Sequence, residues 1–197
     1  MQERVLLGEL PTQDADLLAR LNDYFEHLDY RLRQGQGWLI FNSERERGAR
    51  IVRFILERLA AYRPYYSSYY VPWRDFALHA YVSAVALPQD AGEVERDDAE
   101  SPRRREFQIA SSVATATTFQ LKHADVVIVS NIHPAQLHET ILLSETAVER
   151  SRRRRATIAL TPDDPWSLAG AFDAADPSHT TWRRFYEAMH ATSLVAV

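Results

Sequence analysis

The chain of 197 residues has no cysteine, so disulfides and thiolate metal ligands are excluded. Lysine is almost missing as well. Lys122 stands alone, and every other basic side chain is an arginine. No apolar run reaches the roughly 18 residues that a membrane-spanning helix needs. The N-terminus shows neither the cationic stretch nor the apolar core of a secretory signal. A net charge of −4 is too small to set up a global field selecting nucleic acid or a membrane surface. These absences point to a cytoplasmic protein. The hydrophobic share of 46% and charged share of 25% are those of an ordinary globular domain, and the length suits one domain over 1–197.

What is present is organised around Gly37 to Tyr62. A short apolar strand, Trp38 to Phe41, runs into a polar loop, and Gly48 is expected to open an amphipathic helix. Ile51, Val52, Ile55, Leu56 and Leu59 lie on one face of that helix. Strand, loop and helix with a glycine at the turn is the frame of a phosphate-binding loop, G-x-x-x-x-G-K-[ST]. The aligned residues run from Ser43 to Arg50, and only the second glycine, Gly48, is kept. Ala49 takes the place of the phosphate lysine and Arg50 that of the magnesium hydroxyl.

Helical spacing of Leu17, Leu18, Leu21, Tyr24, Phe25, Leu28 and Leu32 predicts an entry helix over 14–34, after a lead-in over 1–12. Tyr65 to Val71 is aromatic and β-branched and reads as a strand, followed by a helix over 73–87. Between Pro88 and Ser101 there are six acids and one arginine, so 88–105 is expected to be a mobile charged loop. A helix over 106–123 comes next. Ala124 to Ser130 and Arg155 to Thr161 are nearly continuous apolar runs, as in strands buried on both faces of a parallel sheet. Helices are expected over 134–150, 165–170 and 182–190, and a last strand over 193–197. The alternation predicts an α/β domain with a five-stranded, mainly parallel sheet between two helical layers.

In this layout the chain resembles the AAA+ ATPase domain of bacterial helicase loaders and transposition ATP-binding proteins, the DnaC/IstB-like family. The likeness rests on the glycine turn before the first strand (Arg31 to Phe41), on Ala124 to Ile132 as a Walker B-like strand, and on Arg152 to Thr161. Arg183 and Arg184 before the Ser193 to Val197 strand complete it. The resemblance implies a P-loop fold, ATP with magnesium as cofactor, and work in DNA replication or transposition. It also implies that the Walker B carboxylates fall on Ser130 and Asn131, neither of which carries the charge that holds a hard cation. The polar sensor falls on Thr161, and the helical lid is not expected in this chain. Phosphoryl transfer depends on positioning and on charge neutralisation by lysine and magnesium. The expectation is a degenerate nucleotide or anion site at Ser43, Arg45, Arg47, Gly48, Ala49 and Arg50, with no catalytic residue and no resident cofactor.

Other groups of charged and aromatic residues lie outside this loop. Arg103, Arg104 and Arg105, and Arg150 with Arg152, Arg153, Arg154 and Arg155, are candidate phosphate contacts for nucleic acid. As bland readings they are a partner for the acidic loop and a cationic helix C-terminus. The tyrosine-rich stretch from Tyr62 to Trp73 is either an interaction surface or a half-buried strand. His123, Asp125, His133 and His138 flank two ends of one strand, which disfavours a metal site. Ser43, Ser130, Asp163 and Asp164 sit in no hydrolase motif. The functional expectation is a catalytically inactive AAA+-like interaction or scaffold protein that binds a protein partner. The alternatives are an NTPase using Arg47 or Arg50 for phosphate and Asp163 or Asp164 for magnesium, and a nucleic-acid-binding module built on the arginine groups.

Overall fold

The structure, a computed structural model, describes residues 12–63, 65–84 and 102–197. Within them the elements are α1 (Thr12–Glu26), α2 (Leu28–Arg33), β1 (Gly37–Ile40), α3 (Arg45–Ala61), β2 (Ser68–Pro72), α4 (Trp73–Ala84) and α5 (Pro102–His123). They continue with β3 (Val126–Ser130), α6 (Leu137–Arg152), β4 (Ala156–Leu160), α7 (Pro165–Ala175), α8 (Thr180–Thr192) and β5 (Ser193–Ala196). The expected lead-in and most of the expected charged loop lie outside the described residues. No helix among the described residues is long and apolar enough to cross a membrane.

All five strands are parallel, in the order β2-β3-β4-β1-β5. Trp38 faces Ile158 of β4 on one side and Leu194 of β5 on the other. The period-2 alternation of a strand sends Trp38 and Ile40 into one core and Leu39 and Phe41 into the other. α1, α2 and α3 cover the first face, where Leu21, Tyr24, Leu28 and Ile55 are fully or almost fully buried. α4, α6, α7 and α8 cover the second, with Phe76, Leu143, Phe172 and Phe185 at its centre. The α/β class, the five parallel strands and the two helical layers agree with the sequence expectation.

Two local differences have clear causes. The single entry helix bends at His27, because its Nδ1 lies 3.0 Å from the Asp23 carbonyl that the His27 N–H also uses. A side chain inserted into the i→i−4 ladder bends a helix without ending it. The ladder resumes with Arg31 N donating to His27 O at 3.0 Å. The second difference lies after β1. α3 begins at Arg45, so Gly48 sits inside its first turn and does not open it. A Cβ on Gly48 would meet the Ser43 carbonyl oxygen at 2.9 Å. The glycine thus serves the close approach of α3 to the loop behind it. Gly37 has a similar role: a Cβ there would fall 1.9 Å from the Thr157 carbonyl oxygen, so only glycine lets β1 lie against β4.

Candidate functional site at the carboxyl edge of the sheet

In open parallel sheets ligands bind outside the carboxyl ends of the strands, where neighbouring connections leave to opposite faces. β1 and β4 are such a pair. From β1 the chain crosses to the far edge through α3 on one face, and from β4 it reaches β5 through α7 and α8 on the other. The crevice between Phe41–Glu44 and Thr161–Asp164 is therefore where a ligand is expected.

The chain's own backbone closes it. Asn42 N donates to Asp163 O at 3.1 Å, and Ser43 N donates to Thr161 O at 2.8 Å. Ser43 Oγ donates to the same Thr161 oxygen at 2.7 Å. A phosphate cradle needs successive loop N–H groups aimed outward. Here the Phe41 N–H goes to Ala196 O of β5, and those of Asn42 and Ser43 are spent on the loop after β4. Both Ser43 and Thr161 are buried, and Thr161 Oγ1 in turn donates to Ile132 O at 2.9 Å. The three strand ends are bolted together by these bonds.

Beyond that seam lies an open cleft of about 710 Å³. Arg47, Arg50 and Asn131 line it, so the fold does bring together three of the residues singled out in the sequence. The charges of the two arginines are already committed. Arg47 Nε donates to Asp14 Oδ1 at 2.6 Å, and its Nη1 donates to the Phe41 and Asn42 carbonyls at 3.2 and 2.7 Å. Arg50 Nη2 reaches Asp14 Oδ2 at 3.4 Å. Glu44 and Glu46 line the same cleft, where they oppose an incoming anion. Ala49 is exposed on α3, and the side chain of Arg45 lies outside the described residues.

The Walker B positions do not supply a metal ligand set. Ser130 Oγ is 3.0 Å from the Tyr70 hydroxyl of β2, and Asn131 takes a left-handed backbone, φ 53–57° being shared with Asn42 across the seam. The carboxylates assigned to magnesium in the alternative reading have other partners. Asp163 Oδ2 accepts from His133 Nδ1 at 3.0 Å. Asp164 caps α7, accepting from the Ser167 hydroxyl and from the Ser167 and Trp166 N–H groups. Those bonds, the Ser167 hydroxyl foremost, hold its carboxyl below the usual range. Among the described residues no three His, Asp or Glu side chains converge as a metal site. His133 and Asp125 lie at opposite ends of β3, as expected from the sequence, and Asp125 accepts from Ser67 and pairs with Arg155. The residues present do not fit magnesium-bound ATP.

The arginine groups divide. Arg150 is fully buried and donates five hydrogen bonds: to the Leu121, Ala124, Asp125 and Ala156 carbonyls and to Thr157 Oγ1. Burial pulls its pKa down to about 9, with Arg155 adding to the effect and Asp125 opposing it. It ties α6 to the end of α5 and to the starts of β3 and β4, and cannot touch nucleic acid. Arg153 pairs with Glu149, and Arg155 with Asp125. Arg152 and Arg154 are exposed. Arg103, Arg104 and Arg105 fall in the first turn of α5, and their side chains lie outside the described residues.

Two features escaped the sequence reading. Asp14 holds both arginines of the cleft from more than thirty positions away, which no local pattern announces. Trp166, in the first turn of α7 after β4, is 87% exposed, and α7 buries only Leu168 and Phe172. The run of acids and proline before it marked a helix start but not the direction of the indole. No protein-family model matches the chain, and no curated protein matches it.

Proposed function

We propose that this chain is a P-loop-like domain without nucleotide hydrolysis, which acts as an interaction or scaffold protein of the AAA+ helicase-loader type. The observation that carries the reading is the seam between β1 and β4, where Asn42 and Ser43 direct their N–H groups to Asp163 and Thr161. A sheet edge of that design keeps the architecture of a phosphate site and fills its centre with self-contacts. The pairing of Arg47 and Arg50 with Asp14 supports the same conclusion. The partner in this proposal is a protein, and a replication or transposition factor follows from the resemblance. Exposed apolar side chains support a docking role. Trp166 stands free at the carboxyl edge, and aromatic side chains of this kind anchor interface cores.

The test is calorimetric titration of ATP and ADP, with and without magnesium, into the wild-type chain and an Arg50→Ala variant. The expected outcome is no magnesium-dependent binding at this edge and no difference between the two proteins. Micromolar, magnesium-dependent affinity that disappears in the variant would overturn the reading.

A further inference from the structure

A second groove, of about 580 Å³, lies on the other helical layer, where α4, α5 and α6 meet and α8 adds a side chain. Its volume is within the range of sites that hold a small molecule. The lining carries four cations, Lys122, Arg150, Arg152 and Arg184, against two carboxylates, Glu145 and Glu149. This excess stands out in a chain of net charge −4. The partners sharpen it. Glu149 is engaged by Arg153, whereas no hydrogen bond or ion pair engages the Lys122, Arg152 or Arg184 side chain among the described residues. Arg150 forms part of the floor with all its N–H groups spent on carbonyls and Thr157, so it contributes positive potential and not bonds. Asp125, the carboxylate that opposes the lowering of the Arg150 pKa, is held by Arg155.

The carboxyl-edge cleft is the opposite case, since its arginines are neutralised by Asp14. Free cations and hydroxyl donors on a concave wall are what an anion with several oxygens requires. Ser83, Thr118 and Thr146 supply the hydroxyls, and Thr118 Oγ1 lies 3.2 Å from Nε2 of the buried His79. Leu121 and Leu142 give the groove an apolar side against which the body of a ligand can rest.

We propose that this groove is a binding site for a phosphate-bearing ligand, with Lys122, Arg152 and Arg184 as its charge contacts. The site is separate from the closed β1–β4 crevice and does not depend on the function proposed for that edge. The phosphate comes either from a free phosphorylated molecule or from a nucleic-acid backbone, and the three cations serve both.

Because Lys122 is the only lysine, amine-selective acetylation reads the groove at a single residue, with the α-amino group as internal reference. The intact chain is acetylated at constant ionic strength with sodium pyrophosphate, with a twelve-residue thymidine oligonucleotide, or with neither, and the modified peptides are quantified by mass spectrometry. Protection of Lys122 and not of the α-amino group is expected from at least one probe, and the more effective probe identifies the source of the phosphate. Arg152→Gln and Arg184→Gln are each expected to raise the half-protecting concentration about ten-fold, the loss of one charge-assisted contact. Arg53→Gln, an exposed arginine of α3 in the opposite helical layer, is expected to leave it unchanged. Absence of protection by both probes, or protection that survives both groove variants, would overturn the proposal. ATP binding that survives Arg50→Ala and is lost with Arg184→Gln belongs to this groove and leaves the reading of the carboxyl edge standing.

Discussion

Asp14 and Arg47 meet at 2.6 Å across the first helical layer, their side chains only 11% and 15% exposed. Arg47 also holds the Phe41 and Asn42 carbonyls, so this one guanidinium joins α1, α3 and the loop after β1. Removing one partner of a shielded pair leaves the other charge without compensation. Asp14→Ala and Arg47→Ala are each expected to cost about 3 kcal/mol in urea denaturation. Arg50→Ala is expected to cost less than about 1 kcal/mol, because Arg50 is more than half exposed and its contact is long. Equal losses for the two arginines would contradict the assignment of Arg47 as the structural member.

Arg150 has no carboxylate among its hydrogen-bond partners, and its partners cannot be exchanged for apolar groups, since four are backbone carbonyls. Arg150→Met therefore strands buried acceptors that water cannot reach. A loss of at least about 3 kcal/mol is expected, at roughly 1–3 kcal/mol for each unsatisfied group. Arg152→Ala, two positions further on the exposed surface, is expected to stay within about 0.5 kcal/mol of wild type. Chemical denaturation of both variants separates the buried arginine from its exposed neighbour.

Asp176 begins the turn into α8 and accepts from Ser178, Thr180 and Thr181, through both backbone and hydroxyl donors. These bonds, the Ser178 hydroxyl foremost, hold its carboxyl far below the ordinary value of 3.8. A carboxyl lowered in the folded state stabilises fully above its unfolded value and loses that contribution as pH falls toward the folded one. The wild-type chain is thus expected to lose stability below about pH 4 through this group. Asp176→Asn is expected to be less stable at pH 7 and to show a shallower decline below pH 4, measured as thermal midpoints across pH. An unchanged acid limb would exclude Asp176 as a contributor.

The strands were legible because Ala124 to Ser130 and Arg155 to Thr161 are apolar without alternation, which only a sheet covered on both faces explains. Helix positions followed from spacing, with ends displaced where side chains intervened, as at His27. The candidate site was half legible. Sequence placed Arg47, Arg50 and Asn131 at one edge, and the fold gathers them around one cleft. It could not reveal that Ser43 turns inward to Thr161 or that Asp14 neutralises the arginines, since both contacts are long-range. Arg150 was grouped with Arg152 to Arg155 because composition does not separate a buried guanidinium from exposed ones in the same arginine-rich stretch. Its partners, in α5, in the turn before β3 and in β4, make that distinction.

The strand order has a consequence for how the molecule comes into being. β1 pairs with β4 and β5, both of which follow it by more than a hundred residues. As the chain leaves the ribosome, Gly37–Ile40 waits for more than a hundred further residues before either neighbour exists. Contacts of such separation form late and slowly. During that interval the apolar faces of α1 and α3 have no sheet to cover, the kind of surface that chaperones shield. A chain interrupted before Ser193 would leave β1 as a bare, apolar edge, and the cell would meet it as an aggregation-prone fragment, not as a shortened protein.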